Sequence, residues 1–265
     1  VIALLLLTAT SGADTNSDAD ALRFAESGEQ AYRAGLEARS NSAKARPLFR
    51  EAALTFERLW RQGRRNPALA RNLAQASLLA GDLAGAIRAY HLGLRTAPHD
   101  RSLRDGLNFA RQEVAYPKEG TLAESARPRE RRSLLHYASA EIFWAAAIGL
   151  YVLGLIAFVR AWMTRQPGWW LAGGGALVLA AVVAGATAWE DRRLAAEADR
   201  PLAIVAGGGT VLHRGNGAEY PPRLPDRLPE GVEMRILGER GGWLQVQLAG
   251  GEIGWVDAGR VVQLH

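Results

Sequence analysis

Two long stretches without a charge constrain this chain more than any other feature. Residues 142–159 run for eighteen positions, and residues 169–189 for twenty-one, with no Asp, Glu, Lys or Arg. A bilayer core about 30 Å thick needs about 20 apolar helical residues, so each stretch is long enough to span. Between them lie nine residues, 160–168, which hold Arg160, Arg165 and Pro167 and no acid. This spacing predicts a tight transmembrane hairpin, with helices over 139–160 and 169–189 and a short loop over 161–168. Trp144, Trp162, Trp169, Trp170 and Trp189 fall at or near the ends of the runs, where amphipathic rings prefer the headgroup region. The competing reading, two buried helices of a soluble domain, needs other apolar helices to enclose them, and the remaining sequence offers none. In the second run Ala176, Ala180, Ala184 and Ala188 recur every fourth residue beside Ala181 and Gly185, while Gly149 and Gly154 interrupt the first. Such small residues let helix backbones approach closely, either within the hairpin or against a partner's membrane helix.

Whole-chain composition hides this segregation. With 48% hydrophobic and 22% charged residues over 265 positions, the averages describe an ordinary globular protein. The absence of cysteine excludes a thiol nucleophile, a Cys-ligated zinc and an iron–sulfur cluster. A formal charge of +5 does not point to nucleic acid, because the arginines are spread over all segments and interleaved with acids. His91, His99, His136, His213 and His265 share no metal-ligand spacing, and there is no nucleophile elbow, phosphate loop or zinc helix. No catalytic residue, cofactor or metal is expected, and the chain reads as a non-enzyme.

The first nine residues are apolar and lead into Ser11-Gly12-Ala13. They are too short to span but fit the apolar region and small-residue cleavage site of an export signal over 1–13, with the basic n-region missing. Such a signal would place both flanks of the hairpin outside the cytoplasm and the Arg160 loop inside. Arg127, Arg129, Arg131 and Arg132 before the hairpin, and Arg192 and Arg193 after it, pull the other way under the positive-inside rule. We give the signal more weight, since that rule weakens for long translocated segments.

Residues 18–114 read as helical throughout. Ala52, Phe56 and Leu59 recur as Ala86, Tyr90 and Gly93, each displaced by 34 positions. A period of 34 with a small residue and an aromatic four later resembles the tetratricopeptide repeat. In the better copy Pro67 opens the unit, Leu73-Ala74 supply the apolar and small pair, Gly81-Asp82 turn, and Ala86, Tyr90, Gly93 and Pro98 follow. The earlier copy is degenerate: Phe24, Gly28 and Tyr32 mark its first helix, and an insertion over 37–46 is expected to lengthen the inter-helix region. Leu103, Leu107, Phe109 and Ala110 mark one capping helix. An array this small is expected to need a partner or a second copy, because each repeat buries its apolar face only against neighbours. Arg71, Asn72 and Gln75, on one helix beside Leu78, and Arg104, Asn108 and Arg111 on the cap, are candidate groove residues. They either clamp a carboxylate or acidic peptide, or form the solvated face of an Arg-rich helix. Residues 115–138 read as a linker with little to bury.

Residues 200–265 change character to short alternating strands with Gly and Pro punctuation, which predicts a small all-β barrel. The order Leu228-Pro229-Glu230-Gly231, then Gly242-Trp243-Leu244-Gln245-Val246, then Gly251-Glu252-Ile253-Gly254-Trp255-Val256 resembles the bacterial SH3 domain. His213 and Asn216 depart from the Arg and Pro usual in that family's upstream loop. Tyr220, Trp243 and Trp255 are candidate ligand-surface residues, with barrel packing as the competing role for the tryptophans. The PxxP string at 222–225 is expected to set a turn.

The fold class is therefore multi-domain: an all-α tetratricopeptide-repeat segment, a transmembrane hairpin and a C-terminal all-β SH3-like barrel. That order resembles BatE-type proteins of bacterial aerotolerance operons. The resemblance implies a multi-pass protein of the bacterial inner membrane, with both soluble parts extracytoplasmic. It also implies protein partners, von Willebrand-type membrane proteins and a MoxR-type ATPase system. The expected function is a membrane-anchored adaptor or scaffold; the alternative is a peptidoglycan-binding or wall-sensing membrane protein.

Overall fold

The computed structural model describes residues 15–117, 120–128, 140–198 and 201–264. The export signal read at 1–13 lies outside the described residues. Five helices come first: α1 (Thr15–Glu37), α2 (Ser42–Arg61), α3 (Pro67–Ala80), α4 (Leu83–Thr96) and α5 (Arg101–Gln112). Their starts are written locally in the sequence. Asn66, Asp82 and Asp100 each accept a hydrogen bond from the backbone N–H three residues on, at 2.7, 2.8 and 3.0 Å, which satisfies one of a helix's orphan donors. Pro67 adds a pre-set φ at the first position of α3, and Gly81 ends that helix at φ +85°.

These helices stack as two pairs and a fifth helix. The residues that repeat after 34 positions, Ala52, Phe56 and Leu59 on α2 and Ala86, Tyr90 and Gly93 on α4, are all buried. Close packing explains the glycines nearby. A Cβ at Gly28 would come within 2.8 Å of the Phe56 ring, and one at Gly106 within 2.4 Å of Tyr90. The insertion over 37–46 lengthens the connection, as expected, but by only two residues relative to the 81–82 turn between α3 and α4. Only residues 38–41 separate α1 from α2, and the extra residues extend these helices to 23 and 20 residues, against 14 each for α3 and α4. Ala, Leu and Arg are good helix formers, so most of the added sequence joins the helices rather than the loop. Arg88 on α4 ties the pairs together through Glu57 at 2.6 Å.

The segment over 115–138 has more to bury than its composition indicates. A short helix, α6 (Thr121–Ala126), buries Leu122 and Ala126 completely. Ser125 O accepts a 2.7 Å hydrogen bond from Gly250 N.

The C-terminal segment forms five strands: β1 (Leu202–Val205), β2 (Glu233–Arg240), β3 (Trp243–Leu248), β4 (Ile253–Asp257) and β5 (Val261–Leu264). They are antiparallel, in the order β4-β3-β2-β1-β5. The sheet is open, not the closed barrel expected. The long connection from β1 to β2 makes only isolated bridges, Thr210 to Leu228 and His213 to Pro222 and Trp255. Glycines at 207–209 and prolines at 221, 222, 225 and 229 deprive it of strand stiffness and of ladder donors.

Helices and sheet belong to one compact unit. One apolar core runs through both: Leu103, Leu107, Val114 and Leu122 belong to the same buried cluster as Val205, Val232 and Met234. The helical segment thus shares its core with the chain's own C-terminal segment.

The second unit is the hairpin, α7 (Ala140–Thr164) and α8 (Pro167–Ala198). The two helices touch backbone to backbone near Gly154 and Gly173, where a Cβ on Gly173 would lie 3.2 Å from Gly154 O. Ala180 is buried on the packed face, whereas Ala181 and Gly185 are exposed. Both helices are long and apolar enough to cross a bilayer, and only 17% of each apolar window is buried. Buried core helices of a soluble protein would show the reverse. Ile148, Leu153, Val159, Leu171 and Val178 instead face outward.

Candidate functional site

Strand alternation builds the first candidate surface. On β3, Leu244, Val246 and Leu248 are buried in the core, so Trp243, Gln245 and Gln247 take the opposite face. On β4, Gly254 and Val256 point inward and Trp255 outward. Register sets Gln245 opposite Trp255 and Trp243 opposite Asp257. Both tryptophans are half-buried, on the far side of the sheet from its core.

His213 joins these residues. Its backbone N–H donates to Trp255 O at 2.8 Å and its carbonyl accepts from Trp255 N at 2.9 Å. Its ring meets Trp243 edge to face, with centroids 5.3 Å apart at 84°. His213 Nδ1 lies 2.8 Å from Tyr220 O; a carbonyl only accepts, so Nδ1 carries the proton. Tyr220, exposed at 44%, lies over Gly215, where a Cβ would come within 2.5 Å of its ring. His213 thus touches all three candidates, Trp243 through its ring and Tyr220 and Trp255 through their backbones; with Asn216 it is where this chain departs from the SH3 pattern. The exposed Tyr220 and the half-buried Trp243 and Trp255, beside Gln245 and Asp257, offer aromatic surface to a ligand with flat apolar faces and a few polar groups. The PxxP string is used internally: Leu224 is buried and Arg223 N donates to Leu212 O at 2.7 Å.

Three of the six candidate groove residues are held by partners within the chain. Arg71 donates to Ser102 Oγ at 3.1 Å. Arg104 donates twice to Pro98 O, at 3.2 and 2.7 Å. Asn72 and Asn108 are half-buried and Gln75 is exposed. Arg111 does grip a carboxylate, but it is this chain's own Glu233, through two bonds of 2.6 and 2.8 Å. His91 Nε2 adds a contact at 2.9 Å. This group joins α4 and the end of α5 to the start of β2. Two neighbours reinforce it. Glu230 Oε1 accepts from Leu83 N at 3.1 Å, capping α4 from across the interface, and Gly231 presses against Val114, Leu83 and Ile87.

Sequence reasoning missed Glu233, His91, Glu230 and Gly231 as a group. One signal was present: an acid between Val232 and Met234 at the start of an apolar strand is buried only if something neutralises it. Burial alone would raise the Glu233 pKa. The Arg111 and His91 charges and their hydrogen bonds outweigh it and hold the carboxyl well below the usual carboxylate range. Burial, and then the Glu233 charge, push the nearby Tyr116 hydroxyl upward. The folded Glu233 value lies below the unfolded value of about 4.3, so its contribution is complete above that pH and is lost as pH falls through the folded value. Denaturant midpoints measured between pH 7 and pH 2.5 should fall below about pH 4.3, and Glu233→Gln should flatten that decline.

Among the described residues no three His, Asp or Glu side chains converge on a metal-binding geometry. Comparison with protein families, with curated proteins and with solved structures returns no match for this chain.

Proposed function

We propose that this chain is a membrane-anchored adaptor that presents the Tyr220–Trp243–Trp255 face to a protein partner. The observation that carries the reading is the shared core. Helices and sheet locked by Arg111 and Glu233 make one platform, and a platform suits presentation better than two tethered modules do. Two spans return the chain to the side it started from, so both flanks of the hairpin lie on one side of any membrane it crosses. The tetratricopeptide and bacterial SH3 resemblances support a binding role. The BatE-type resemblance supports a bacterial inner-membrane setting, with von Willebrand-type membrane proteins and a MoxR-type ATPase system as partners. The export signal read at 1–13 supports an extracytoplasmic platform.

The test is co-purification of membrane partners with the full chain. A buried aromatic anchor is worth about 2 kcal/mol or more at a binding hot spot, so Trp255→Ala and Trp243→Ala should each weaken retention at least about 10-fold. Their thermal midpoints should stay close to wild type. Retention unchanged in both variants sinks the assignment of this face.

The same outward tryptophans favour a second reading, in which the face stacks on peptidoglycan. Sedimentation of the full chain with purified sacculi separates the two readings. The full chain is needed because residues 201–264 share their core with the helices.

A further inference from the structure

Unit two has a marked polarity of its own. Eighteen helical residues rise about 27 Å, so residues 142–159 fill most of a hydrocarbon core and set Arg160 at its boundary. Trp169 begins the return at the same level. Around this end the hairpin carries Arg160 and Arg165 and no acid; the first carboxylates, Glu141 and Glu190, stand at the opposite end of the two helices. The turn is tight, with Arg165 at φ +52°, and Thr164 Oγ1 donates to Arg160 O at 2.8 Å. The Arg160 guanidinium lies 5.0 Å over the Trp169 ring, and Trp170 packs edge-on to Phe158 at 4.6 Å. Trp162 and Met163 are 74% and 78% exposed beside it.

The chemistry of this tip is specific. A guanidinium stacked on an indole face keeps its N–H edge available, and that planar fork matches two phosphate oxygens. The flanking Trp162 and Met163 offer apolar surface at the depth where glycerol and upper acyl carbons lie. Zwitterionic headgroups place a choline or ethanolamine cation beside the phosphate, which two unopposed arginines repel. Anionic headgroups do not.

We propose that the α7–α8 turn is a recognition site for the phosphate headgroup of anionic phospholipid, with Arg160 and Arg165 as its cations and Trp169 as the plate that orients Arg160. This rests on the membrane reading of the hairpin, and the experiment keeps the two apart. The full chain is reconstituted in vesicles of phosphatidylcholine with one fifth phosphatidylglycerol. Alkaline-washed flotation reports insertion, and native mass spectrometry of the extracted protein reports the lipids retained. The expected result is that the wild type floats and retains phosphatidylglycerol several-fold above its share. Arg160→Gln with Arg165→Gln should float equally well and retain both lipids in proportion to the vesicle. Arg160→Lys, which keeps the charge and loses the fork, should fall between. Flotation of the wild type without enrichment of phosphatidylglycerol, or enrichment that survives the double glutamine variant, overturns the proposal. Failure of the wild type to float overturns the membrane reading with it.

Discussion

Arg111→Met should be the most damaging conservative substitution in the chain, lowering the stability of the helix–sheet unit by about 3 kcal/mol or more. The side-chain volume is nearly kept, so the loss reports charge. Arg111 neutralises Glu233 with two bonds to a carboxylate that is only 8% exposed. Removing it leaves a buried carboxylate that keeps only the His91 Nε2 contact, at 2.9 Å, of that group. Breaking a buried pair from one side costs about 3–5 kcal/mol, whereas replacing both partners by apolar groups is often neutral. The double variant Arg111→Met with Glu233→Leu should therefore recover most of the loss. Urea unfolding of the full chain in detergent, followed by far-UV circular dichroism, measures both. A double variant as unstable as the single would mean that the pair holds the interface by shape and not by charge.

Gly231→Val should have the second largest effect, through two independent causes. The backbone there sits at φ +86°, a conformation that costs a β-branched residue about 1–3 kcal/mol. The new Cβ would also meet Val114 at 2.8 Å, Leu83 at 3.0 Å and Ile87 at 3.2 Å, overpacking that costs a further 1–3 kcal/mol or so. Leu83 and Ile87 lie on α4 and Val114 just beyond α5, whereas Gly231 belongs to the sheet segment, so the damage falls on the junction. Amide exchange should accelerate in α4 and β1 together, while the hairpin keeps its protection. Gly241→Val is the control. It has positive φ as well, at +58°, but open space around its Cβ position, and it should cost only the backbone part.

Several elements were legible because their causes are local. Asn66, Asp82 and Asp100 announce helix starts within three residues of themselves. The 34-residue period marks which small and aromatic positions face the core, and charge-free length marks the hairpin. The junction was not legible for the opposite reason. Arg111 and His91 lie 122 and 142 positions from Glu233, with the whole hairpin between. Arg111 looked like a groove residue because a sequence shows that an arginine can clamp a carboxylate, but not which one. The sheet stays open because glycines and prolines fill the connection between β1 and β2. Trp243 and Trp255 were ambiguous from spacing alone, since alternation gives two faces and only the packed helices decide which is inside.

The central claim is that the helical segment and the sheet form one body on one side of the membrane, with the α7–α8 turn on the other. The chain has no cysteine, so a single introduced thiol is an unambiguous reporter. Ser40, Glu239 and Gln166 are exposed, in the helical segment, the sheet and the turn respectively. Each is changed singly to Cys in the full chain and challenged in sealed, oriented vesicles with a membrane-impermeant maleimide. The account predicts that Ser40→Cys and Glu239→Cys react alike and Gln166→Cys in the opposite sense. Labelling that separates position 40 from position 239 would contradict it.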